Sequence, residues 1–270
     1  MQKATAHLIR NKLIYLAALF LLIVIVISTV LFLQDSQQNS QPPVTQNTNY
    51  TYESLQATNG VELHILRTAP ESLTFKTING NVTASGSVGI NGGFFWQQSL
   101  LSIAVENDQP VNGEQNAHGS GWFNTKYARG TLVYDRIAKR LSVQVVSNAA
   151  EIQVTDHSAY WAQGGVSLLL QDEPHFRQSI EKEALPVPDE LRLRSGIVYD
   201  VDNYIYLIVS STKCTAEQFR QSIVEYESEH PLVDGIYLDG DGSSQLMSNE
   251  MKLIGDGRAV IQMIAIHEDE

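Results

Sequence analysis

The sequence predicts a mixed α+β fold, in which a single sheet-dominated domain with few helices is preceded by one N-terminal transmembrane helix. Three observations support this fold class. An unbroken apolar stretch at residues 13–33 is long enough to cross a bilayer as a helix. Many short segments of the remaining chain have the apolar alternation of strands. One later segment has the marks of a capped helix.

The N-terminal region is predicted to be an uncleaved membrane anchor. Lys3, Arg10 and Lys12 precede the apolar stretch, and basic residues tend to stay in the cytoplasm. The stretch ends at residues 30–33 without a small-residue cleavage site, which argues against a signal peptide. We therefore expect a single-pass membrane protein with a cytoplasmic tail at residues 1–12 and a periplasmic or extracellular C-terminal domain.

A flexible linker and one domain are predicted to follow the anchor. Residues 34–49 consist mostly of Gln, Asn, Ser, Thr and Pro, too little apolar surface to fold. Residues 50–270 have the length of one ordinary domain. Beyond the anchor, 15 Lys and Arg face 30 Asp and Glu, so nucleic acid is an unlikely partner. Cys214 is the single cysteine, which excludes an internal disulfide. We expect it to be a half-buried structural cysteine and not a nucleophile paired with a distant histidine.

A predicted helix and the strands on either side of it place the motif that begins at Asp239 at the end of a strand. Thr215 and Gln218 have the spacing of a capping box. This helix connects strand-like residues 205–210 and 236–238, and such a crossover predicts two parallel strands near one another. Asp239 would then emerge at a carboxyl end, where α/β sheets tend to bind ligands. The predicted strands are residues 61–67, 73–78, 87–90, 101–105, 130–134, 141–146, 152–155, 196–199, 205–210, 236–238 and 259–267.

The motif after residue 238 combines carboxylates, glycines and hydroxyls. Carboxylates supply acid, base or metal-binding oxygens, hydroxyls supply hydrogen bonds, and glycines let the backbone approach a ligand. An ordinary turn has the same composition. The candidate site residues of this motif are Asp239, Gly240, Asp241, Gly242, Ser243 and Ser244.

Two further glycine pairs follow or precede strand-like segments. Asn91, Gly92 and Gly93 offer an amide side chain and two backbone N–H groups that are able to face a small anion. A tight hairpin explains the same residues. Gly164 and Gly165 precede an aliphatic run and have the same two interpretations.

The order of these pieces resembles the phosphodiester glycosidase domain, the family of the lysosomal enzyme that uncovers mannose 6-phosphate. The resemblance covers residues 61–266 and is based on the motifs at residues 91–95, 164–170, 194–196, 238–244 and 258–260. Asp241 replaces a glycine of the usual family motif, and Ser195-Gly196 stand where Thr-Ala is common. The resemblance implies hydrolysis of a sugar-1-phosphodiester bond in envelope or extracellular glycans.

The resemblance implies the following roles. Arg194 and Arg258 supply bidentate donors to the phosphate, helped by N–H groups of the glycines. Asp239 is the nucleophile or general base, and Asp241 or His118 is the acid where one is needed. The residues also allow plainer roles: both arginines as surface ion pairs, Asp241 as a turn residue, and His118 as a solvated loop residue.

Two other interpretations stay open. Asp239, Asp241, Ser243, Gln245 and Glu250 have the spacing of a calcium-binding loop, although the glycine position of that loop is serine and its flanks are not helical. A divalent metal, calcium or magnesium, stays possible as an aid to catalysis, and no other cofactor is indicated. The second alternative is a non-catalytic binding domain for phosphorylated or acidic cell-envelope glycans.

Overall fold

The computed structural model describes residues 49–226 and 231–267. Every described residue belongs to one unit of the chain, Thr48–Glu270. The predicted cytoplasmic tail, the anchor and the linker, apart from Asn49, lie outside the described residues. Within the described part, no helix has the length and apolar character needed to cross a membrane.

The described domain is dominated by strands and contains two helices. The helices are α1 (Glu173–Lys182) and α2 (Ala216–Glu225). The strands are β1 (Tyr50–Gln56), β2 (Glu62–Thr68), β3 (Leu73–Gly80), β4 (Gly89–Asn91), β5 (Phe95–Trp96), β6 (Ser99–Leu100), β7 (Ala104–Glu106), β8 (Gln109–Pro110), β9 (Arg129–Asp135), β10 (Arg140–Val146), β11 (Tyr160–Gly164), β12 (Val166–Ser167), β13 (Ser195–Asp200), β14 (Ile205–Ser210), β15 (Leu232–Tyr237), β16 (Leu246–Met247), β17 (Lys252–Leu253) and β18 (Val260–Ile266).

The strands form three larger sheets and one hairpin. A six-stranded sheet has the order β1-β2-β14-β13-β15-β12, and two five-stranded sheets have the orders β10-β9-β11-β7-β8 and β17-β16-β4-β18-β3. The hairpin is β5-β6. β13 is antiparallel to both β14 and β15, so β14 and β15 run parallel with β13 between them. The predicted crossover through α2 is thereby confirmed.

The six-stranded sheet separates two apolar cores. One core packs residues of β13, β14 and β15 against Ile90 of β4, Ile264 of β18 and Trp161 of β11, so it fills the space between the sheets. The other core packs Phe176 and Phe219 of the two helices against the opposite face of the six-stranded sheet. The helices therefore cover one face of this sheet, and the other sheets cover the second.

The predicted helix is confirmed in detail. Thr215 and Gln218 form a reciprocal capping box at the start of α2, which satisfies N–H groups that the first turn leaves without partners. Phe219 and Ile223 are buried on one face. The sequence did not indicate α1. Only Phe176 and Ile180 are buried in this ten-residue helix, and two apolar positions are too few for a recognisable helical pattern.

The predicted strand at residues 152–155 is wrong. Its backbone N–H groups bond to side chains instead of a neighbouring strand: Gln153 donates to Gln144 Oε1 at 2.8 Å and Thr155 to Asp135 Oδ2 at 2.7 Å. Cys214 is more buried than the half-buried structural cysteine that the sequence predicts. Cys214 is fully buried, and burial raises the pKa of its thiol to about 11, which disfavours the thiolate that a nucleophile requires.

Candidate functional site

The three glycine-containing segments converge at the carboxyl end of β15. A Cβ added to Gly93 would lie 2.9 Å from the carbonyl oxygen of Gly164. A Cβ added to Gly165 would lie 2.0 Å from the carbonyl oxygen of Tyr237. Such separations leave no room for a side chain, so the glycines let these backbones pack against each other. Segments that are distant in sequence thereby meet next to Asp239.

Asn91 links its own segment to the segment of Ser195 and to the loop that contains Asp239 and Gln245. Its Nδ2 atom donates to the carbonyl oxygens of Asp239 at 2.8 Å and Gly92 at 3.1 Å. Its Oδ1 atom accepts from Ser195 Oγ at 2.9 Å and from the N–H group of Gln245 at 3.1 Å. The side chain is buried, and all of its hydrogen-bonding capacity is used. Asn91 therefore positions the loop of Asp239 and has no free group for a ligand.

The Asp239 carboxyl has the electrostatics of a reactive group. The residue is half-buried, and burial raises the pKa of its carboxyl from 3.8 to about 6. The Ser243 hydroxyl, the N–H group of Gly240 and the positive charge of Arg258 oppose this rise, whereas Asp241 adds to it. A carboxyl with such a pKa is mostly ionised at neutral pH and is a better base than an ordinary aspartate.

Two buried hydroxyls lie in the same loop without partners. Ser243 and Ser244 are each 1% exposed, and neither Oγ atom forms a hydrogen bond of normal geometry with a described residue. A buried polar group without a partner is unfavourable unless water or a ligand completes it. Because both Oγ atoms are also shielded from solvent, they are not open to a ligand in this conformation of the loop.

Two arginine–carboxylate pairs flank this loop. Arg258 donates from Nε and Nη2 to Asp256, and a Cβ added at Gly242 would lie 2.1 Å from that carboxylate. On the other side, Arg192 Nη1 donates to Asp241 Oδ2 at 3.0 Å. Arg258 lowers the pKa of Asp239 by its charge, and its Nη1 atom makes no hydrogen bond to a described residue. Arg258 is thus the arginine whose placement fits the predicted phosphate-binding role.

Arg194 differs from the sequence expectation. Its guanidinium is buried and donates to backbone carbonyl oxygens, among them Val187 at 2.7 Å, Glu190 at 2.9 Å and Cys214 at 3.3 Å. These bonds hold the segment before β13 and leave the guanidinium turned toward that segment. The backbone of Arg194 belongs to the converging region, but its side chain has a structural role.

The N–H groups of Gly92 and Gly93 also differ from the expectation of an anion site. Gly92 donates to the carbonyl oxygen of Gln262 at 3.0 Å, and Gly93 donates to Gln262 Oε1 at 3.3 Å. The Gln262 side chain in turn donates to Gln163 Oε1 at 2.6 Å. Both N–H groups are therefore engaged within the protein. The glycine pair is required for close packing: a Cβ at Gly92 would lie 2.3 Å from Gln262 Oε1.

His118 lies in a different recess. It is exposed and lines a surface recess together with Asn116 and Tyr127. No hydrogen bond or ion pair of the described residues joins it to Asp239. The structure therefore gives no support to His118 as the acid of the proposed reaction.

The calcium-loop interpretation does not fit the structure. The loop runs from β15 into the short strand β16, whereas the calcium loop connects two helices. The Gln245 side chain accepts from the N–H group of Val82 at 2.9 Å and donates to the carbonyl oxygen of Arg258 at 2.9 Å. No group of three or more His, Cys, Asp or Glu side chains in the described part is arranged to hold a metal ion.

Asp241 occupies a backbone conformation that favours glycine. Its φ angle is 56°, in the left-handed region where a Cβ atom is unfavourable and where aspartate is tolerated better than most residues. This explains how a carboxylate is accommodated at the position where the motif of the phosphodiester glycosidase domain, which the sequence resembles, has glycine. The Asp241 carboxylate gains an ion pair with Arg192 in return.

We expect Asp241→Gly to change the free energy of unfolding by less than about 0.5 kcal/mol, because relief at φ offsets loss of a solvent-exposed ion pair. Asp241→Val is expected to cost about 1 to 3 kcal/mol, because a branched Cβ is strained at positive φ. Chemical denaturation measures both. Asp189→Val is the control, since Asp189 forms a similar exposed pair with Arg177; an equal cost for both valine variants would contradict the role of φ.

Sequence reasoning considered Gln245 only as a calcium ligand and did not single out two other residues that build the site, Gln262 and Arg192. Gln262, Gln245 and Arg192 each bond to a residue of the converging segments. Gln262 and Gln245 are buried polar side chains, and a glutamine inside an apolar strand such as β18 is a signal that points to an internal hydrogen bond. The sequence gives no reason to single out Arg192, because partly exposed arginines are common in acidic chains.

The chain was compared with known proteins. No protein-family model matches it, and no curated protein matches it. The structure is similar to the catalytic domain of zebrafish N-acetylglucosamine-1-phosphodiester alpha-N-acetylglucosaminidase (NAGPA), auto-inhibited by its pro-peptide, with a TM-score of 0.55 and 17% identity over 85% of each chain. A hypothetical protein from Synechocystis gives a TM-score of 0.46 and 13% identity over 80% of this chain and 61% of that chain. The first comparison shows a distant structural relationship: the fold of this chain resembles that of the NAGPA catalytic domain.

Proposed function

We propose that the domain hydrolyses the bond between the anomeric carbon of a sugar and a phosphodiester oxygen, in glycans of the cell envelope or its surroundings. The observation that carries this proposal is the half-buried Asp239 carboxyl, with a pKa raised to about 6, at the meeting point of the converging segments. The structural relationship to the NAGPA catalytic domain supports the same class of reaction.

The reaction needs a negative group beside the sugar and donors around the phosphate. As the bond from the anomeric carbon to oxygen breaks, positive charge develops on the sugar ring and negative charge on the departing phosphate. Asp239, ionised at neutral pH, stabilises the ring as nucleophile or activates water as general base. Water supplies a hydroxyl to the anomeric carbon and a proton to the products, which are a free sugar and a phosphomonoester.

The departing phosphate requires donors that lie near Asp239. Arg258 is exposed and its Nη1 group has no hydrogen-bond partner among the described residues, so it is the donor assigned to the phosphate. Donors that are already fixed in place stabilise a developing charge without reorganisation. Because phosphate is a fair leaving group, protonation by an acid is less important, and Asp241 is the remaining carboxylate for it.

The location of the activity is also a proposal. The apolar residues 13–33 and the basic residues before them support an anchored domain outside the cytoplasm. Such a domain meets envelope or extracellular glycans, the polymers in which sugar phosphodiesters occur outside the cell.

The test is hydrolysis of N-acetylglucosamine 1-(4-nitrophenyl phosphate) by the full-length protein in detergent, in water enriched in ¹⁸O. We expect N-acetylglucosamine and 4-nitrophenyl phosphate, with the label on the sugar. Label on the phosphate would show cleavage of the other phosphoester bond and contradict the glycosidase. Saturable binding of the compound without products would favour the non-catalytic glycan-binding alternative. A parallel reaction with EDTA reports any need for a divalent metal.

Arg258→Gln is expected to lower kcat/KM about 10- to 100-fold at pH 7 and to move the acidic limb of the pH profile upward. The reason for the movement is that Arg258 lowers the pKa of Asp239, so its removal raises that pKa further above 6. The measurement is kcat/KM against pH from 4.5 to 8.5. Arg177→Gln removes a cation that is likewise paired with carboxylates, on α1, and should leave the limb in place. An unmoved limb in Arg258→Gln would contradict the electrostatic influence of Arg258 on Asp239.

A further inference from the structure

Two adjoining recesses lie on either side of Lys126 and Tyr127, apart from the Asp239 loop. Their volumes are about 510 and 520 Å³, a size typical of small-ligand sites. Both are lined by Lys126 and Tyr127, so the two side chains form the ridge between them. The first recess continues to Lys182 of α1, and the second continues to Asn116 and His118.

The charge of these recesses is opposite to that of the protein. The chain carries 30 acidic against 18 basic residues, yet Lys126 and Lys182 form no ion pair with a described residue. The carboxylate of Glu183, which also lines the first recess, accepts from the N–H groups of Gly130 and Ser167 and from Ser179 Oγ.

Two further charged residues near the recesses are engaged by neighbouring side chains or backbone groups. His175 is paired with Asp172 at 2.7 Å. The carboxylate of Glu151 accepts from Ser147 and Asn148 in the second recess. Lys126 and Lys182 are thus two ammonium groups without an ion-pair partner among the described residues, against the one carboxylate of Glu183 in the lining, and this excess of positive charge favours an anionic ligand.

Aromatic side chains connect the recesses with the proposed reaction site. The Arg129 guanidinium lies 5.0 Å from the ring centre of Phe94 and 5.4 Å from that of Tyr127. Phe94 directly follows the glycine pair that packs beside Asp239. Tyr127 is 44% exposed, which leaves ring surface for contact with a sugar.

A second exposed ring lies at the hairpin β5-β6. Trp96 is 69% exposed and pairs with Ser99, so the two side chains share one face of the hairpin. A Cβ at Gly119 would lie 2.7 Å from Ser99 Oγ, which places the loop of His118 on the same face. Trp96 therefore lies on the hairpin face that packs against the loop of His118.

We propose that the two recesses form one groove that binds a phosphate-bearing glycan, so that the substrate is a polymer with repeated sugar phosphates. Tyr127 packs against a sugar ring, and Lys126 and Lys182 contact a phosphate that neighbours the bond to be cleaved. The claim that this polymer is a substrate rests on the proposed function. The claim that it binds to the groove does not.

The experiment measures binding to the full-length Asp239→Asn protein in detergent by calorimetry, so that the probe is not consumed. The probe is a synthetic trimer of N-acetylglucosamine joined by 1-phosphodiester links. Combined Lys126→Ala and Lys182→Ala substitutions should raise Kd about 10-fold or more, because two charge-assisted contacts are lost. Tyr127→Ala should raise it about 5-fold. Circular dichroism melting verifies that each variant is folded.

A matched control uses Lys139→Asn, which removes the same charge at the far end of β10 and keeps a residue suited to the φ of 48° there. It should change Kd less than about 2-fold. An equal loss in the control, or no loss in the lysine variants, would overturn the groove. Equal affinity for chitotriose would overturn the role of charge, and tighter binding of trigalacturonate would overturn the assignment to phosphate.

The two proposals fail in different ways. If the unmodified protein binds the trimer through Lys126 and Lys182 but never cleaves it, the groove stands and the hydrolase is overturned. If it cleaves the trimer and its Kd is unaffected by either lysine, the hydrolase stands and the groove is overturned.

Discussion

Asp239→Asn is expected to abolish hydrolysis and at the same time to stabilise the protein at pH 7.5. Loss of the carboxylate removes the nucleophile or base, and we expect a fall in kcat of about 10³-fold or more. Stability should rise because the ionised carboxyl is unfavourable in its half-buried position. The shift of its pKa from 3.8 to about 6 corresponds to about 1 to 3 kcal/mol when partial exposure to solvent is considered.

The sign of this gain depends on pH. An acid whose pKa is higher in the folded protein binds its proton more tightly there, so ionisation destabilises the fold. The full cost is present above about pH 6 and is absent below the ordinary value of 3.8. The gain of Asp239→Asn should therefore disappear as pH falls from 7.5 to 3.5, which urea denaturation at several pH values measures.

The control for this prediction is Asp156→Asn. Hydrogen bonds from Ser158 lower the pKa of the Asp156 carboxyl, so its removal should give no gain at pH 7.5. A destabilised Asp239→Asn protein at pH 7.5, or one with full activity, would contradict the electrostatic description of the site.

Asn91→Ala is expected to destabilise the protein by about 3 to 5 kcal/mol and to reduce activity in the fraction that folds. The substitution removes four hydrogen bonds at once and leaves two carbonyl oxygens, one hydroxyl and one N–H group of the converging segments without this partner. Each buried polar group left unpaired costs about 1 to 3 kcal/mol. The free energy of unfolding in guanidinium chloride is the measurement.

Two further variants make the prediction about Asn91 specific. Asn112→Ala removes a half-buried amide that donates to two carbonyl oxygens, those of Gln98 and Gly119, and should cost less than about 1.5 kcal/mol. Ser195→Ala removes one of the four bonds and should cost about 1 kcal/mol, which is measurable even if Asn91→Ala does not fold. A cost for Asn91→Ala no larger than that for Asn112→Ala would contradict its linking role.

The sequence predicted where the site lies but not how each of its residues acts. The crossover pattern around α2 placed Asp239 at a strand end, because periodicity and capping are local properties that tertiary contacts rarely overturn when they agree. The glycine pairs indicated close approach of backbones, and the structure shows that approach at Gly93 and Gly165. The order of motifs along the sequence resembles that of the phosphodiester glycosidase domain. The fold in turn resembles that of the NAGPA catalytic domain.

The sequence did not predict the direction in which individual side chains point. Arg194 and Arg258 are both basic residues near strand starts, yet one donates to backbone carbonyl oxygens in the interior and the other lies beside Asp239. The same limit applies to His118, since a glycine-rich loop can lie over a site or beside it.

The hydrogen bonds of Asn91 have a consequence for folding kinetics. They join residues separated in the chain by 104, 148 and 154 positions, contacts of high contact order whose loop-closure entropy makes them slow to form. We expect the region around Asp239 to be assembled in the last cooperative step of folding. A nascent chain that ends before Gln245 would then contain Asp239 but no organised reaction centre.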